Sequence, residues 1–272
     1  MYSNSSFKKY FFIVLGLWIA FIGVSVYLFY LKEERTAENW KILAVNSVSF
    51  MLNLITILNF RFKKKKKIWA LIIYGLLFFA SLPEFLDLNT RIAYLLLSAV
   101  LLLVVDILPI SSSLKYFNIG MLITISCFLY FPIGIIVILF LIITILYYEK
   151  NINISQYLAG VLVTIVLITE LTYLTDNLSY VSNWLGQLSI PEIHFEYQIP
   201  ILIILLVILI YGWVNQYSDN NISEEVEIAS KHTILVLYLL SWIIIYAFFM
   251  GSNFGLLIFI SLPVSIIVSR SL

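Results

Sequence analysis

The stretch YFNIGMLITISCFLYFPIGIIVILFLIITILYY, residues 116–148, decides the fold of this chain because it carries no charged side chain. A continuous α-helix of this length would extend about 50 Å, whereas the hydrocarbon core of a bilayer is about 30 Å thick. The helix must therefore end or bend within the stretch. Pro132 stands near its middle, and proline cannot extend a regular helix. We predict two short membrane-spanning helices that fold back on each other at Pro132.

The distribution of basic residues separates this hairpin from its alternative, a single long kinked helix. With the hairpin, twelve of the sixteen Lys and Arg residues fall on the cytoplasmic side, namely Lys8, Lys9, Arg61, Lys63 to Lys67, Lys115, Lys150, Lys231 and Arg270. With one kinked helix, nine fall on that side and seven on the other. Cytoplasmic loops of membrane proteins are enriched in Lys and Arg. The count favours the hairpin, with both termini in the cytoplasm.

The composition of the whole chain agrees with a membrane protein. Apolar residues make up 62% of the chain and charged residues 11%, whereas soluble domains carry about half and a quarter, respectively. Charges, prolines and polar turns bound further apolar runs along the chain. These runs predict an all-α polytopic membrane protein, a single domain over residues 1–272. Its bundle of about ten transmembrane helices comprises two within 116–148 and others over 11–31, 42–60, 68–82, 92–108, 156–174, 201–217, 234–250 and 256–268.

Several classes of function are disfavoured by what the sequence contains. A formal net charge of +1 is too small for the basic field that holds a nucleic acid. The two histidines, His194 and His232, fall on opposite sides of the predicted membrane, which argues against a bis-histidine haem or a histidine-rich metal site. The sequence has no glycine-rich phosphate loop, zinc-protease helix or serine elbow. We therefore expect no cofactor and no metal, and we expect Cys127 to serve packing.

A polar stripe runs along the second predicted span. Asn46, Ser49, Asn53 and Thr56 are three or four residues apart, so they share one face of a helix. Unpaired amides in hydrocarbon cost several kcal/mol. We expect this face to lie against another helix, through hydrogen bonds between helices or as the lining of a polar path.

Two acids fall within predicted spans, where a charge is costly and often functional. Asp106 lies near the inner end of the fourth span, where solvation by headgroups is the favoured explanation and a functional role the alternative. Glu170 lies in the outer half of the seventh span and shares a face with further polar residues, namely Thr169, Thr172, Tyr173 and Asp176. We expect this stripe to face protein or a wet cavity rather than lipid.

Two connecting segments are longer than turns. In the outer one, residues 177–188 suit a helix lying in the membrane interface, with Tyr180 and Trp184 as interfacial aromatics. Further along this segment, alternate positions of a predicted extended stretch carry Glu192, His194 and Glu196. Together they could perform acid–base chemistry or hold a cation. The alternative is that they belong to a solvated loop without a chemical role. In the inner segment, 218–231, Ser223 is followed by several acids, a pattern typical of a helix N-terminus. We predict a short surface helix there, with a docking site for a partner as the alternative.

Two resemblances add to this interpretation. The residues KYFNIGMLI, 115–123, followed by FLYFP, 128–132, and by LTDN, 174–177, resemble a family of multi-pass inner-membrane proteins of Bacteroidetes described as a domain of unknown function. This resemblance covers most of the chain and implies a bacterial inner membrane and no known activity.

The short hairpin, its polar turn and the next span are also similar, more distantly, to the middle of multi-span glycosyltransferases that take sugars from polyprenyl-phosphate carriers. In those enzymes an acid in the first outer loop is catalytic, and here that loop offers Glu33, Glu34 and Glu38. The loop has only about ten residues and lacks the long helical excursion of that family.

Two hypotheses about function follow. The first is a non-enzymatic structural or accessory component of an envelope assembly in a bacterial inner membrane, with the lipid bilayer and other envelope proteins as its partners. The second is a membrane enzyme or transporter for a lipid-linked sugar or another amphipathic substrate, with Glu170, Asp176 and the outer acids as candidate site residues. An outward-opening cavity that joins these acids would favour the second hypothesis, and a filled bundle would favour the first.

Overall fold

The computed structural model describes residues 3–31, 37–60, 64–81, 87–104, 112–147, 151–177, 179–180, 184, 195–218, 225–249 and 254–271. Within these residues the chain forms ten α-helices and no strand, in agreement with the predicted all-α class. The helices are α1 (Ser3–Leu31), α2 (Ala37–Asn59), α3 (Lys64–Ser81), α4 (Leu88–Val104), α5 (Ser112–Leu129), α6 (Gly134–Tyr147), α7 (Asn151–Leu174), α8 (Phe195–Ser218), α9 (Glu225–Phe249) and α10 (Ser261–Ser271). Short 3-10 helices, Phe131–Ile133 and Phe254–Ile260, precede α6 and α10.

Three stretches of the described residues are long and apolar enough to cross a membrane. They are Trp40–Asn59, Ile154–Leu174 and Lys231–Phe248. Shorter apolar helices of 10–17 residues coincide with other predicted spans, among them Leu88–Val104 and Leu114–Leu129. A helix of 17 residues extends about 25 Å, somewhat less than the hydrocarbon core of about 30 Å. The structure therefore supports a membrane protein, while the full set of ten spans stays a prediction.

The chain folds back at Pro132, as predicted. Helix α5 ends at Leu129, a 3-10 turn contains Pro132, and α6 begins at Gly134. Tyr157 of α7 packs its backbone against Gly120 of α5, and its hydroxyl donates to the carbonyl oxygen of Val137 in α6 at 2.7 Å. In a continuous helix Gly120 and Val137 would lie about 25 Å apart, too far for one tyrosine to contact both. This geometry excludes the single kinked helix.

Helices α5 and α7 cross at a pair of glycines. A Cβ atom built on Gly120 would lie less than 3.0 Å from the backbone oxygen of Tyr157, and one built on Gly160 equally close to the backbone oxygen of Phe117. The contact is thus reciprocal, with each glycine against the backbone of the other helix. Small residues permit this close approach of helix backbones, as in many membrane proteins. Hydroxyls four residues further on donate to the two glycine carbonyls, those of Thr124 and Thr164.

Aromatic side chains form the centre of the bundle. Phe50 of α2 stacks on Phe21 of α1 with ring centroids 5.2 Å apart, and on Tyr74 of α3 at 5.4 Å. The chain of ring contacts continues from Tyr94 of α4 to Phe259 at 5.2 Å. Phe259 in turn contacts further rings, those of Trp242 and Tyr130. The rings thus link the first helices of the chain to the last and to the turn that follows α5.

Helix ends that are predicted to lie on one side of the membrane are neighbours in the structure. The Lys66 Nζ atom, at the start of α3, donates to the backbone oxygen of Arg270, at the end of α10. At the opposite end, the Tyr180 hydroxyl donates to the backbone oxygen of Phe128 at 2.9 Å. These contacts agree with the predicted alternation of the helices. Which end faces the cytoplasm stays a prediction.

Helices α8 and α9 change the structure predicted for the two long connecting segments. Helix α8 begins at Phe195, so Glu196 lies in a helical turn and the predicted extended stretch is wrong at this residue. Pro200 falls inside α8 near its start, where its missing N–H removes a single hydrogen bond. Helix α9 runs continuously from Glu225 to Phe249, so the predicted surface helix is the first part of a longer helix.

Candidate functional site

The polar face of α2 lies buried inside the bundle. Asn46, Ser49, Asn53 and Thr56 each expose at most 3% of their surface. The hydroxyls of Ser49 and Thr56 donate to backbone carbonyls four residues earlier in the same helix. The two amides instead bond to side chains of neighbouring helices. The prediction that this face meets another helix is therefore confirmed.

Asn53 is the centre of a hydrogen-bonded cluster. Its Nδ2 atom lies 2.7 Å from the hydroxyl of Tyr94, 3.1 Å from Ser98 Oγ and 3.2 Å from the hydroxyl of Tyr74, so its two N–H groups are shared among three acceptors. One amide therefore joins α2 to both α3 and α4. Its Oδ1 atom is buried without a hydrogen-bond partner among the described residues. Buried polar atoms normally have a partner, so within the described residues this oxygen is an exception.

Arg91 is a second buried polar residue, although the predicted span 92–108 begins just after it. In the structure it lies in the first turn of α4 with 3% of its surface exposed. Its Nη1 atom donates to Asn46 Oδ1 at 3.2 Å. Asp87, one turn earlier, interacts electrostatically with the guanidinium group. A buried arginine in an apolar bundle is costly and is usually kept for a function.

The two clusters follow one register between α2 and α4. Asn46 pairs with Arg91 and Asn53 with Ser98, and both pairs are 45 residues apart in sequence. The two helices therefore run parallel, with the two contacts about two turns apart. The positions of Arg91, Tyr94 and Ser98 share one helix face, but the sequence analysis gave no reason to pair that face with α2.

A cavity of about 430 Å³ lies at the end of the bundle where α4 begins and α5 ends. Its polar lining comes from Asp87, Asn89 and Thr90. Asp87 and Asn89 are exposed to solvent, whereas Thr90 is buried next to Arg91 in sequence. The lining thus reaches the residue before Arg91 in the chain, but it includes neither Arg91 nor Asn46.

Aromatic side chains form the remaining walls of this cavity. They come from the end of α5, the turn after it and the segment after α7, and comprise Phe128, Tyr130, Phe131, Tyr180 and Trp184. The Trp184 ring stacks on Phe128 with centroids 4.7 Å apart and meets Phe131 edge-on at 5.3 Å. Such stacked and edge-on pairs are the favoured arrangements of aromatic rings. The cavity combines aromatic walls with a polar edge.

Two side chains of the outer segment close the end of α5. Pro132 has no N–H group, so the carbonyl of Phe128 lacks its usual donor four residues further on. The Tyr180 hydroxyl donates to this carbonyl at 2.9 Å, and Trp184 Nε1 donates to the carbonyl of Cys127 at 3.0 Å. Cys127 itself is buried. The proline that ends the helix therefore also creates the acceptor that holds the cavity wall in place.

Comparison with known proteins places the whole chain in one family. A model for DUF6427, a family of unknown function, matches residues 4–272. The chain belongs to the DUF6427 family. Neither a curated protein nor a solved structure matches this DUF6427 chain.

The acidic stripe of this DUF6427 member lies on the outside of the bundle. Glu170, Thr169 and Asp176 are exposed, and Tyr173 exposes 68% of its surface. None of these residues lines the cavity described above. Within the described residues the stripe is exposed rather than packed against this chain, and whether it faces a partner protein stays a prediction. Helical spacing shows which residues share a face, but α7 packs on α5 through the face that contains Gly160.

Most of the other predicted site residues lie outside the described part of the chain. This applies to Glu33, Glu34, Glu192 and His194, and also to Asp106. The roles of Glu33, Glu34, Glu192 and His194 thus stay hypotheses, whereas Glu38 lies in the first turn of α2 and Glu196 in the first turn of α8. The residues that the structure does bring together, Asp87 and the aromatic walls, are ones that the sequence did not single out as a site.

Proposed function

We propose that this chain is a multi-pass protein of a bacterial inner membrane and a non-enzymatic component of an envelope assembly. In this proposal both termini are cytoplasmic, and the aromatic cavity binds an amphipathic molecule on the outer side. The apolar side chains exposed along α7 and α8, for example Leu162, Val166, Ile203 and Val207, support contact with lipid.

The cavity is the observation that carries the proposed ligand. Its volume of about 430 Å³ lies within the usual range for small-molecule sites, about 300–1,000 Å³. Aromatic rings match the apolar part of an amphipathic molecule, and Asp87, Asn89 and Thr90 offer hydrogen bonds to its polar part. Such a molecule would bind with its apolar part against the aromatic rings and its polar part against Asp87, Asn89 and Thr90.

The walls of the cavity are held before any ligand arrives. Trp184 is fixed by its hydrogen bond to the carbonyl of Cys127 and by stacking on Phe128. Tyr180 is fixed by its bond to the carbonyl of Phe128. A preformed site loses less conformational freedom on binding, which favours affinity.

The test is retention of a ligand by the purified protein. We expect mass spectrometry of protein extracted from its native membrane in mild detergent to detect an amphipathic molecule at about one per chain. Trp184→Ala should lose this molecule, because it removes one wall and a hydrogen bond. Trp40→Ala is the matched control, because Trp40 is 62% exposed and lies outside the cavity lining. Equal retention by the two variants would contradict the proposed site.

One observation favours the alternative, an enzyme or transporter for a lipid-linked sugar or similar substrate. Asp87 places a carboxylate on the described lining of the cavity, and a carboxylate can act as a general acid or base. Asp87→Asn separates the two functions. In a binding component the variant binds its ligand more weakly, and the wild type forms no product. In an enzyme the wild type converts the bound molecule, and the variant retains it unchanged.

A further inference from the structure

The cavity at the end of α5 carries a negative charge beside its aromatic walls. Asp87 is the one charged residue on the lining that the described residues form. It is exposed to solvent, and it interacts electrostatically with Tyr130, an aromatic residue of the same lining. Arg91, which also interacts electrostatically with Asp87, is 3% exposed and does not belong to the lining. The charge that the lining presents is therefore negative.

The two aromatic side chains of the outer segment present rings to the cavity rather than hydrogen-bond donors. Trp184 donates its Nε1 hydrogen to the carbonyl of Cys127, and Tyr180 donates its hydroxyl hydrogen to the carbonyl of Phe128. Phe128 and Phe131 complete these walls with side chains that have no polar atom. A headgroup that reaches these walls thus meets aromatic surface.

Aromatic rings attract positive charge. The face of a ring is its negative side, and an ammonium group within about 6 Å of the ring centroid is held there. Phe128 stacks on Trp184 with centroids 4.7 Å apart, and Tyr130 stacks on Phe259 at 6.3 Å. Each such contact covers one face of a ring and leaves the second face outside the pair. Sites that combine several rings are the usual means of recognising quaternary ammonium ligands.

The three classes of headgroup differ in what they require from this lining. An anion requires donors and is repelled by Asp87. A sugar requires a partner for each buried hydroxyl, whereas most of the described lining is aromatic or apolar and its polar edge consists of Asp87, Asn89 and Thr90. An alkylammonium group requires an opposite charge and aromatic faces, and the lining supplies both.

We infer that the cavity binds its ligand through a positively charged alkylammonium headgroup, held by Asp87 and by the rings of Tyr130, Phe131 and Trp184. This inference rests on the proposed function of the cavity and specifies the chemical class of its ligand. Asp87 supplies the opposite charge, and the rings replace part of the water that the cation loses on binding. The ammonium group belongs either to an amphipathic molecule or to a soluble amine, which the apolar tail distinguishes.

The test measures binding of radiolabelled octyltrimethylammonium to the purified full chain in a maltoside detergent. Octyl glucoside and octyl sulfate are the competitors, because they carry the same tail on a neutral sugar and on an anion. We expect saturable binding, with unlabelled octyltrimethylammonium displacing the label at concentrations lower by about tenfold or more than either competitor. Displacement by octyl glucoside or octyl sulfate at equal or lower concentrations would overturn the inference.

Two variants test the carboxylate and the rings separately. Asp87→Asn keeps the size of the side chain but removes its charge, so it should weaken octyltrimethylammonium binding by about fivefold or more. Glu170→Gln is the matched control, because it removes an exposed carboxylate that lies outside the lining, and it should bind like the wild type. Equal affinities for these two variants would overturn the role of Asp87.

Phe131→Leu keeps an apolar wall but removes an aromatic face. It should weaken octyltrimethylammonium binding by about 2- to 30-fold, and it should change the affinity for an uncharged octyl compound much less. An unchanged affinity for octyltrimethylammonium would overturn the role of this ring. Comparison of Tm values for the variants and the wild type shows whether each variant is folded when its binding is measured.

The inference and the proposed function fail in different ways in this experiment. If octyl glucoside binds as tightly as octyltrimethylammonium, the cavity still binds an amphipathic molecule and the cationic headgroup alone is overturned. If tetramethylammonium, which has no tail, competes as strongly as octyltrimethylammonium, the cationic headgroup is supported and the amphipathic ligand is overturned. If none of the octyl compounds binds saturably, both are overturned.

Discussion

Replacing Gly160 by alanine would place a methyl group where α5 and α7 are closest. The new Cβ would lie less than 3.0 Å from the backbone oxygen of Phe117 and 3.1 Å from the backbone nitrogen of Met121. Ordinary van der Waals contact begins at 3.4 Å, so the helices would have to separate by about 1 Å. The obstacle is backbone rather than a flexible side chain, so no rotamer change relieves it.

The expected loss of stability follows from two opposing contributions. Overpacking a well-packed contact typically costs about 1–3 kcal/mol, and a rigid backbone obstacle places Gly160→Ala at the upper end. Alanine favours a helix over glycine by about 1 kcal/mol, which offsets part of this cost. The net loss is about 2 kcal/mol, which lowers Tm by about 4–8 °C for a chain of this size.

The assay is thermal unfolding of the purified protein in detergent. Gly23→Ala is the matched control, because nothing lies within 4 Å of a Cβ built there, and it should leave Tm unchanged or raise it slightly. Gly120→Ala should behave like Gly160→Ala. The double variant should lose less than the sum of the single losses, because both methyl groups push apart the same two helices. Equal Tm values for Gly160→Ala and Gly23→Ala would refute the close crossing.

Three further predictions concern the polar residues and the topology. Asn53→Leu should lower the free energy of unfolding by about 1–3 kcal/mol, because it leaves buried hydroxyls such as that of Tyr94 without their shared donor; an unchanged Tm would contradict the cluster. Reporter fusions after Lys67 and after Asn177 should report opposite sides of the membrane, and a shared side would overturn the predicted topology. Glu170→Gln should change stability by no more than about 0.5 kcal/mol, as is usual for exposed positions; a large drop in Tm would show that Glu170 is buried in the functional state.

The features that were predictable from sequence depend on the local chain. Pro132 ends a helix wherever that helix packs, and the stretch around it is too long for one span. The polar residues Asn46 and Asn53 share one face at any helix orientation, and their amides require partners. Both predictions are confirmed because each needs only the geometry of a single helix.

The features that were not predictable depend on which helices are neighbours. From the sequence alone Arg91 resembles a loop residue, because its burial depends on the packing of α4 against α2, which places Asn46 opposite it. Glu170 has polar neighbours on its own helix, but the packing face of α7 is set by Gly160. The cavity at Asp87 requires three chain segments that lie far apart in sequence. No periodicity within one segment contains that information.

The hydrogen bonds from Tyr180 and Trp184 to the last carbonyls of α5 can form only after both residues have been synthesised. The turn at Pro132 leaves the ribosome before Tyr180 and Trp184 do. Tyr180 follows Phe128, whose carbonyl it binds, by 52 residues, and Trp184 follows Cys127 by 57 residues. At about 5–20 residues per second, this interval lasts roughly 3–11 s. During this time water or the insertion machinery must satisfy both carbonyls. A nascent chain stalled before Tyr180 should therefore expose this turn to hydrophilic labelling reagents, and one extended past Trp184 should protect it.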